Sequence, residues 1–398
     1  MKILAIETSC DETAISIIEA KGELKKPHFK IIADTVISQI NIHKEYGGVF
    51  PALAKREHTR NLLPILKTTL RKANLISNSQ FPISKQTTNK IHKILEREIE
   101  IAEPLLEFVK THEIPKIDAI AVTQGPGLEP ALWTGINFAK ALSLLWDKPF
   151  IPVNHMEGHL VASLLKSKVT KFPALGLLIS GGHTELILIK NWMDYKVIGQ
   201  TRDDAVGEAY DKVARMLGLP YPGGPEVSKL SEEFSKNFNL PAMPAHAGQA
   251  GLKTKNFSLP RPMINTNDFD FSFSGLKTAV LYMIKEIKNV TPEIQKEICH
   301  EFEQAVIDVL ITKTKKAIIK NNVKTLILGG GVTANKKIRK EFKKLEKEFK
   351  IDVLVPDIKY TGDNATMIAI AGYFRYLNKQ FLEPNKTGKI KADGNLQL

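Results

Sequence analysis

An α/β protein built as two like halves is the fold class the sequence predicts, and three observations carry it. A short apolar strand pair, KILAIE (2–7) and TAISII (13–18), flanks the small polar turn TSCDE. The same design recurs within 175–189, where GLLIS and TELILI flank GGH. Late in the chain, TLILGGG (325–331) reads as a buried strand running into a triple-glycine turn. Two hairpin-led halves with such a turn point to the bilobal actin/Hsp70/hexokinase (ASKHA) architecture, with a nucleotide between the halves. The halves are expected at 1–150 and 151–363, the first carrying a helical insertion at about 75–112 and completed by a C-terminal helix at 364–380.

Each element follows from local signals. The stretch 44–66 (KEYGGVFPALAKREHTRNLLPIL) reads as a glycine turn feeding a helix. Residues 75–112 are polar and lysine-rich, hold the amphipathic run KIHKILEREIEIAEPLLEFV, and read as an inserted helical arm. IDAIAVTQ (117–124) is a buried strand, GPG (125–127) a tight turn, and LWTGINFAKALSLLW the helix behind it. The stretch DDAVGEAYDKVARMLG reads as a helix that ends at Gly218, before a Pro-Gly-Gly-Pro turn at 222–225. Proline and glycine make 240–268 a long irregular loop, and FDFSFSGLKTAV (269–280) resumes order on the way into a helix. A helix over 303–320 precedes the triple-glycine strand, and the strongly basic helix KKIRKEFKKLEKEFK (336–350) follows it. The tail EPNKTGKIKADGNLQL is expected to be mobile.

Composition narrows the class. At 398 residues and 43% hydrophobic the chain is globular and long enough for two domains. A net charge of +13 points to a polyanionic partner, with RNA, DNA and acidic protein all open. Two cysteines, Cys10 and Cys299, are too few for a disulfide framework and imply a reducing compartment. Glu7 interrupts the N-terminal apolar run too early for a signal peptide, and no apolar run approaches the length of a membrane span. A cytoplasmic protein is expected.

The motif NHMEGH (154–159) is where chemistry is expected. On a helix, His155 and His159 at i and i+4 share one face and can grip one metal ion. Two imidazoles rarely complete a site, so a distant carboxylate is needed; the candidate is Asp363 in YTGDNATM, between a short apolar strand (VLVP) and a helix. Zincin chemistry is rejected. The acid here is Glu157, two residues after the first histidine, which at about 100° per residue places it roughly opposite the histidine pair.

Four glycine turns are expected at strand ends: TSCDE, SGGH, the PGG turn and GGGVTAN. Such turns offer backbone N–H groups to anions, and the two hairpin turns facing each other would clasp a phosphate. Gly329, Gly330 and Gly331 would let the backbone approach adenine and ribose, with the Asn335 amide bonding to them. Asp211, placed near the end of its helix, is a plausible acceptor for ribose hydroxyls or another polar group.

Beyond these local readings, ETSCDET (7–13), YGGVFPALAKREH (46–58), GPGL (125–128), NHMEGH, ISGGHT (179–184), YDKVARMLGLPYPGGP (210–225), FSFSGLKTA (271–279), GGGVTAN and TGDNATM resemble, in order, the TsaD family of tRNA adenosine threonylcarbamoyltransferases. The resemblance runs from residue 1 to about 375. It implies an actin-like fold and transfer of a threonylcarbamoyl group from threonylcarbamoyl-AMP to N6 of the adenosine immediately 3′ of a tRNA anticodon (position 37, in tRNAs reading ANN codons), giving t6A. It implies that His155, His159 and Asp363 hold a divalent metal, Fe2+ first and Zn2+ second. It implies substrate contacts at Leu178, Ile179, Ser180, Gly181, Gly182, Asp211, Gly224 and Asn335, with Asp11 and Glu12 facing the reacting groups. A TsaB-like paralogue and a TsaE-like ATPase are the implied partners. The sequence departs from the family pattern in the 75–112 arm, the 240–268 loop and Glu129-Pro130.

Two other readings use the same features. An actin-like ATPase or small-molecule kinase would hold Mg2+ mainly through carboxylates and water and has no need of HMEGH. A non-enzymatic scaffold would not be expected to retain all three metal-ligand candidates.

Overall fold

The computed structural model describes residues 1–166, 169–237, 257–287 and 289–398. These form two compact units, Met1–Val169 with Gly362–Leu398, and Thr170–Thr361.

The first unit opens with β1 (Lys2–Glu7) and β2 (Glu12–Lys21), an antiparallel hairpin as the sequence predicts. An edge strand, β3 (His28–Ser38), extends the hairpin. After α1 (Ile40–His43) come α2 (Pro51–Lys72), α3 (Lys85–Ile94) and α4 (Ile99–Thr111). β4 (Ala119–Gly125) then joins the other side of β1 in parallel, α5 (Glu129–Trp146) follows, and β5 (Phe150–Asn154) pairs parallel with β4. The sheet order is β3-β2-β1-β4-β5. Its central strands are apolar almost without break, as strands covered on both faces require. β5 runs directly into α6 (His155–Val161). The NHMEGH motif therefore belongs to this unit and not to the second half, because pairing with β4 holds β5 in this sheet.

The second unit repeats the plan. β6 (Ala174–Ile179) and β7 (Thr184–Asn191) form the second hairpin, and β8 (Asp194–Gln200) extends it. α7 (Val206–Met216), α8 (Gly223–Asn237), α9 (Ser274–Glu286) and α10 (Pro292–Asn321) follow. β9 (Thr325–Gly329) pairs parallel with β6; after α11 (Lys336–Phe349), β10 (Asp352–Leu354) pairs parallel with β9. Read from the hairpin edge, β8-β7-β6-β9-β10 matches the first sheet strand for strand. Gly330 makes the turn after β9 possible: its φ is +89°, and a Cβ there would lie 2.5 Å from the Ile179 carbonyl oxygen. The chain then returns to the first unit as α12 (Ala365–Leu377), packed on β1, β2 and β5.

Several expectations need correction. The 75–112 segment is helical as expected, but as two helices packed into the first unit. The amphipathic run breaks at Leu95–Glu98 into α3 and α4, and Ile91, Leu95, Ile101, Leu105 and Val109 enter the core of that unit. The PGG turn follows no strand, since it joins α7 to α8, and Asp211 lies in the middle of α7. Of the 240–268 loop, 240–256 lie outside the described residues, and 257–268 contain no helix or strand.

The tail is pinned rather than mobile. Leu382 exchanges backbone hydrogen bonds with Phe150, the Asp393 N–H donates to the Gln124 carbonyl, and Lys140 Nζ donates to the Ile390 carbonyl at 2.7 Å. At its end the Asn154 amide nitrogen donates to the carbonyls of Gln397 (3.0 Å) and Leu396 (3.4 Å). Its polar composition hid a set of backbone partners supplied by β4, β5 and α5.

Candidate functional site

The first unit brings His155, His159 and Asp363 together. Asn154 starts α6 by accepting at Oδ1 from the N–H of Met156 (2.8 Å) and of Glu157 (3.4 Å), so the helix begins at the first histidine. One turn places the imidazoles with centroids 4.7 Å apart. Asp363 immediately precedes Asn364, which caps α12 by accepting from the Met367 N–H. Packing of α6 on α12 closes the distance, with Gly158 at the crossing: a Cβ there would sit 3.0 Å from both Met367 and Ile368.

Asp363 Oδ1 lies 3.3 Å from His155 Nε2 and 3.2 Å from His159 Nε2. Metal bonds of about 2.1 Å separated by about 90–110° leave ligand atoms roughly 3.0–3.4 Å apart, which is the spacing seen. A second observation fits a cation better than a hydrogen-bonded cluster. His159 is 1% exposed, and among the described residues neither of its ring nitrogens has a hydrogen-bond partner of good geometry, although Nε2 lies 3.2 Å from Asp363. Buried polar atoms are seldom left this way. These three residues can hold a metal ion.

Glu7 completes the centre, and the sequence reading missed it. Its Oε2 accepts from His155 Nδ1 at 3.1 Å and from the Thr123 hydroxyl at 2.5 Å, while Oε1 accepts from the Ser9 N–H at 2.5 Å. A carboxylate on the far nitrogen of a ligating histidine fixes its tautomer and raises its basicity. The available signal was an acid closing an otherwise apolar buried strand. Burial disfavours charge here, yet the carboxylates of Asp363 and Glu7 outweigh it and hold His155 well above the ordinary histidine range. His159, where burial wins, is lowered. Burial works against Asp363 too, but the two imidazoles take it well below the usual carboxylate range.

Glu157 lies outside this set. It is fully buried and accepts from Arg375 Nε of α12 at 2.6 Å, which accounts for the acid without assigning it chemistry.

Asp11 and Glu12 sit where the first hairpin turns into β2. The Asp11 carbonyl accepts from the Gln39 N–H, and the Ser38 hydroxyl reaches a Glu12 oxygen at 3.4 Å. Burial, then the charges of Asp363 and Asp11, push the Glu12 carboxyl well above its usual range. Behind the turn, buried His58 of α2 makes a bond of 2.8 Å to the Thr13 hydroxyl and one of 3.0 Å to the Cys10 carbonyl.

The remaining candidates lie in the second unit around a cavity of about 790 Å³. Gly181, Asp211, Gly224 and Asn335 line it. Leu178 and Ile179 are interior residues of β6, and Ser180 and Gly182 belong to the turn that follows. Ser180 closes that turn: its N–H donates to the His183 carbonyl, and its Oγ accepts from the His183 N–H. Asp211 Oδ1 accepts from the Gly223 N–H at 2.7 Å and so fixes the start of α8. The Asn335 amide, read as a nucleotide contact, is already engaged. Oδ1 caps α11 by accepting from Ile338, and Nδ2 donates to Ser228 Oγ (2.8 Å) and Glu303 Oε1 (2.6 Å). Glu303 was also missed. It is an acid 2% exposed within the apolar run of α10, and its second oxygen accepts from Ser231 at 2.6 Å.

Two units that repeat one actin-like topology, the first holding a His/His/Asp donor set and the second a cavity lined by glycines and charged side chains, define an actin-like α/β protein equipped for a metal. Comparison with known proteins supplies the family. The TsaD family model, described as tRNA N6-adenosine threonylcarbamoyltransferase, matches residues 30–79 and 94–370, and the chain belongs to that family. The enzyme of that name from Thermosipho africanus is 41% identical over 100% of both chains. That from Persephonella marina is 40% identical over 100% of this chain and 95% of its own. Among solved structures, full-length HypF in its phosphate- and nucleotide-bound form matches with a TM-score of 0.50 at 11% identity, over 95% of this chain and 46% of that one, a likeness of fold. Most of α3 falls outside the family match and α4 inside it, so the departure from the family is narrower than the 75–112 segment.

Proposed function

We propose that this chain transfers a threonylcarbamoyl group to N6 of adenosine in tRNA, taking it from threonylcarbamoyl-AMP and releasing AMP. The acceptor is position 37, next to the anticodon of tRNAs that read ANN codons. The observation that carries the reading is the convergence of His155, His159 and Asp363 in a chain of this family. The net charge of +13 suits a tRNA partner.

In the reaction the N6 amine attacks the carbamoyl carbon, the bond from that carbon to the phosphate oxygen breaks, and the amine proton leaves. Asp11 accepts that proton. Glu12 stands next to it in the same turn and faces the reacting groups with it. Backbone amides of the Ser180–Gly182 turn serve the phosphate or the carbonyl oxygen; loss of one such donor typically costs about 3 kcal/mol. Asp211 and Gly224 shape the cavity for the adenylate, and Asn335 holds α11 and Glu303 in place around it. Leu178 and Ile179 set the turn from beneath. His155, His159 and Asp363 hold one divalent ion, Fe2+ first and Zn2+ second, since the donor set suits both. When bound, the ion supplies Lewis acidity and a template for the donor.

A TsaB-like paralogue and a TsaE-like ATPase are the proposed partners, and the cytoplasm the proposed location. Among the described residues no helix is long and apolar enough to cross a membrane.

The test is reconstitution with threonylcarbamoyl-AMP, unmodified tRNA and the partner proteins, read by mass spectrometry of tRNA nucleosides. t6A should form with the parent chain and not with His155→Ala. ADP released from ATP alone, with tRNA left unmodified, would replace this reading by the actin-like ATPase or kinase.

A further inference from the structure

Among the described residues, the cavity of the second unit contains two buried hydrogen-bond donors that donate to nothing. Tyr210 of α7 is 2% exposed, with its ring edge-on to Phe302 at 5.0 Å. Its hydroxyl has no hydrogen-bond partner. Lys337, the second residue of α11, has a partly exposed stem, but its ammonium nitrogen is shielded from solvent and also unpartnered. The nearest carboxylate oxygen, Glu303 Oε2, is 3.8 Å away, beyond hydrogen-bond reach. Glu303 is committed elsewhere, to Asn335 through one oxygen and Ser231 through the other. Both donors line the cavity.

Leaving one such group buried and unpaired costs a folded protein about 1–3 kcal/mol. A chain that carries two of them in one cavity is built for an acceptor that arrives from outside. Resting on the reading that this cavity takes the adenylate of the donor, we propose that the Tyr210 hydroxyl and the Lys337 ammonium are substrate-binding groups that donate to ring-nitrogen or ribose-oxygen acceptors of the nucleoside.

Lys229, Lys336 and Lys340 also line the cavity, but the charge beside the Lys337 ammonium is acidic, Glu303 at 3.8 Å. Buried Glu303 and the largely buried carboxyl of Asp211 line the same space. A phosphate beside them would meet like charge in a place where water screens poorly, whereas a neutral acceptor meets none. The volume of about 790 Å³ is ample for a nucleoside. Burial also lowers Lys337 and, with Glu303 adding to it, raises Tyr210 well above its ordinary range, so the tyrosine stays a donor.

The experiment is calorimetric binding of adenosine and of AMP to the full-length parent, Tyr210→Phe and Lys337→Met. The tyrosine change removes only the hydroxyl, and the lysine change keeps the stem. Each variant should bind adenosine about 5- to 30-fold more weakly, the range of one buried hydrogen bond. Each should also melt at or above the parent temperature without ligand, because an unsatisfied group has gone. A purely structural residue would show the opposite pattern. Adenosine binding within twofold of the parent in both variants would overturn the proposal, pointing to a buried water as the acceptor. Weakening for AMP but not for adenosine would overturn it in favour of a phosphate contact. A parent that binds neither ligand would bring down the adenylate reading of the cavity, and this assignment with it.

Discussion

Glu7 Oε2 accepts from His155 Nδ1 at 3.1 Å, on the opposite side of the ring from the nitrogen that meets Asp363. The carboxylate thus selects which histidine nitrogen is left for a cation. Glu7→Gln preserves shape but weakens that selection, and metal affinity should fall about 10- to 100-fold. Competition against a chelator of known strength would measure the loss; an affinity within twofold of the parent would show that Glu7 serves only to tie Thr123 and Ser9.

His155→Ala removes a ligand outright. Metal content should fall from one equivalent to near zero, and t6A formation with it, while circular dichroism stays that of the parent. Stoichiometric metal in the purified variant would refute the ligand set.

Gly158 lets α6 approach α12 closely. Gly158→Ala forces a methyl group against Met367 and Ile368 and should cost about 1–3 kcal/mol, the range for overpacking. Urea unfolding would read the cost, and metal affinity should drop in the same variant because Asp363 lies just ahead of α12. Parental affinity in the destabilised variant would disconnect the helix crossing from the centre.

Arg375 partners the fully buried Glu157. Arg375→Met takes an ion-pair partner from a buried carboxylate, a loss that typically costs 3–5 kcal/mol, and adding Glu157→Gln should recover most of it. A double variant no more stable than Arg375→Met would mean that the arginine acts by packing alone.

Burial lowers His58 to about 4, so the folded protein holds it neutral while the unfolded chain titrates near 6.5. The associated stability is therefore complete above about pH 6.5 and is lost as pH falls toward 4, on the order of 2–3 kcal/mol. Replacing His58 by Gln should flatten the unfolding midpoint between pH 7 and pH 4.5. An unchanged slope would place the titration on another group.

How much of this was legible in the sequence depends on what each residue answers to. The hairpins 2–18 and 175–189 and the helix after Asp363 were readable because one local period, or one cap, decides them. The edge strands β3 and β8 were not. Each is only partly buried, so neither carries the apolar signature of the strand beside it. His155 and His159 declare themselves by spacing alone. Glu7 becomes legible only once β1 is known to run beside β4, which puts Thr123 within its reach and brings α6 to the same end of the sheet. Asn335 shows the converse: its residue type suggested an amide for a nucleotide, while its bond to Glu303, 32 positions earlier, could not be read from the sequence.

The carbonyls of Leu396 and Gln397 close on the same asparagine whose other atom starts the metal-bearing helix. Leu396 and Gln397 are therefore structural neighbours of the helix that carries His155 and His159. Deleting residues 389–398 would loosen the N-terminus of α6 without altering a single donor atom. Protein shortened in that way would take up less metal for reasons unrelated to its donor atoms.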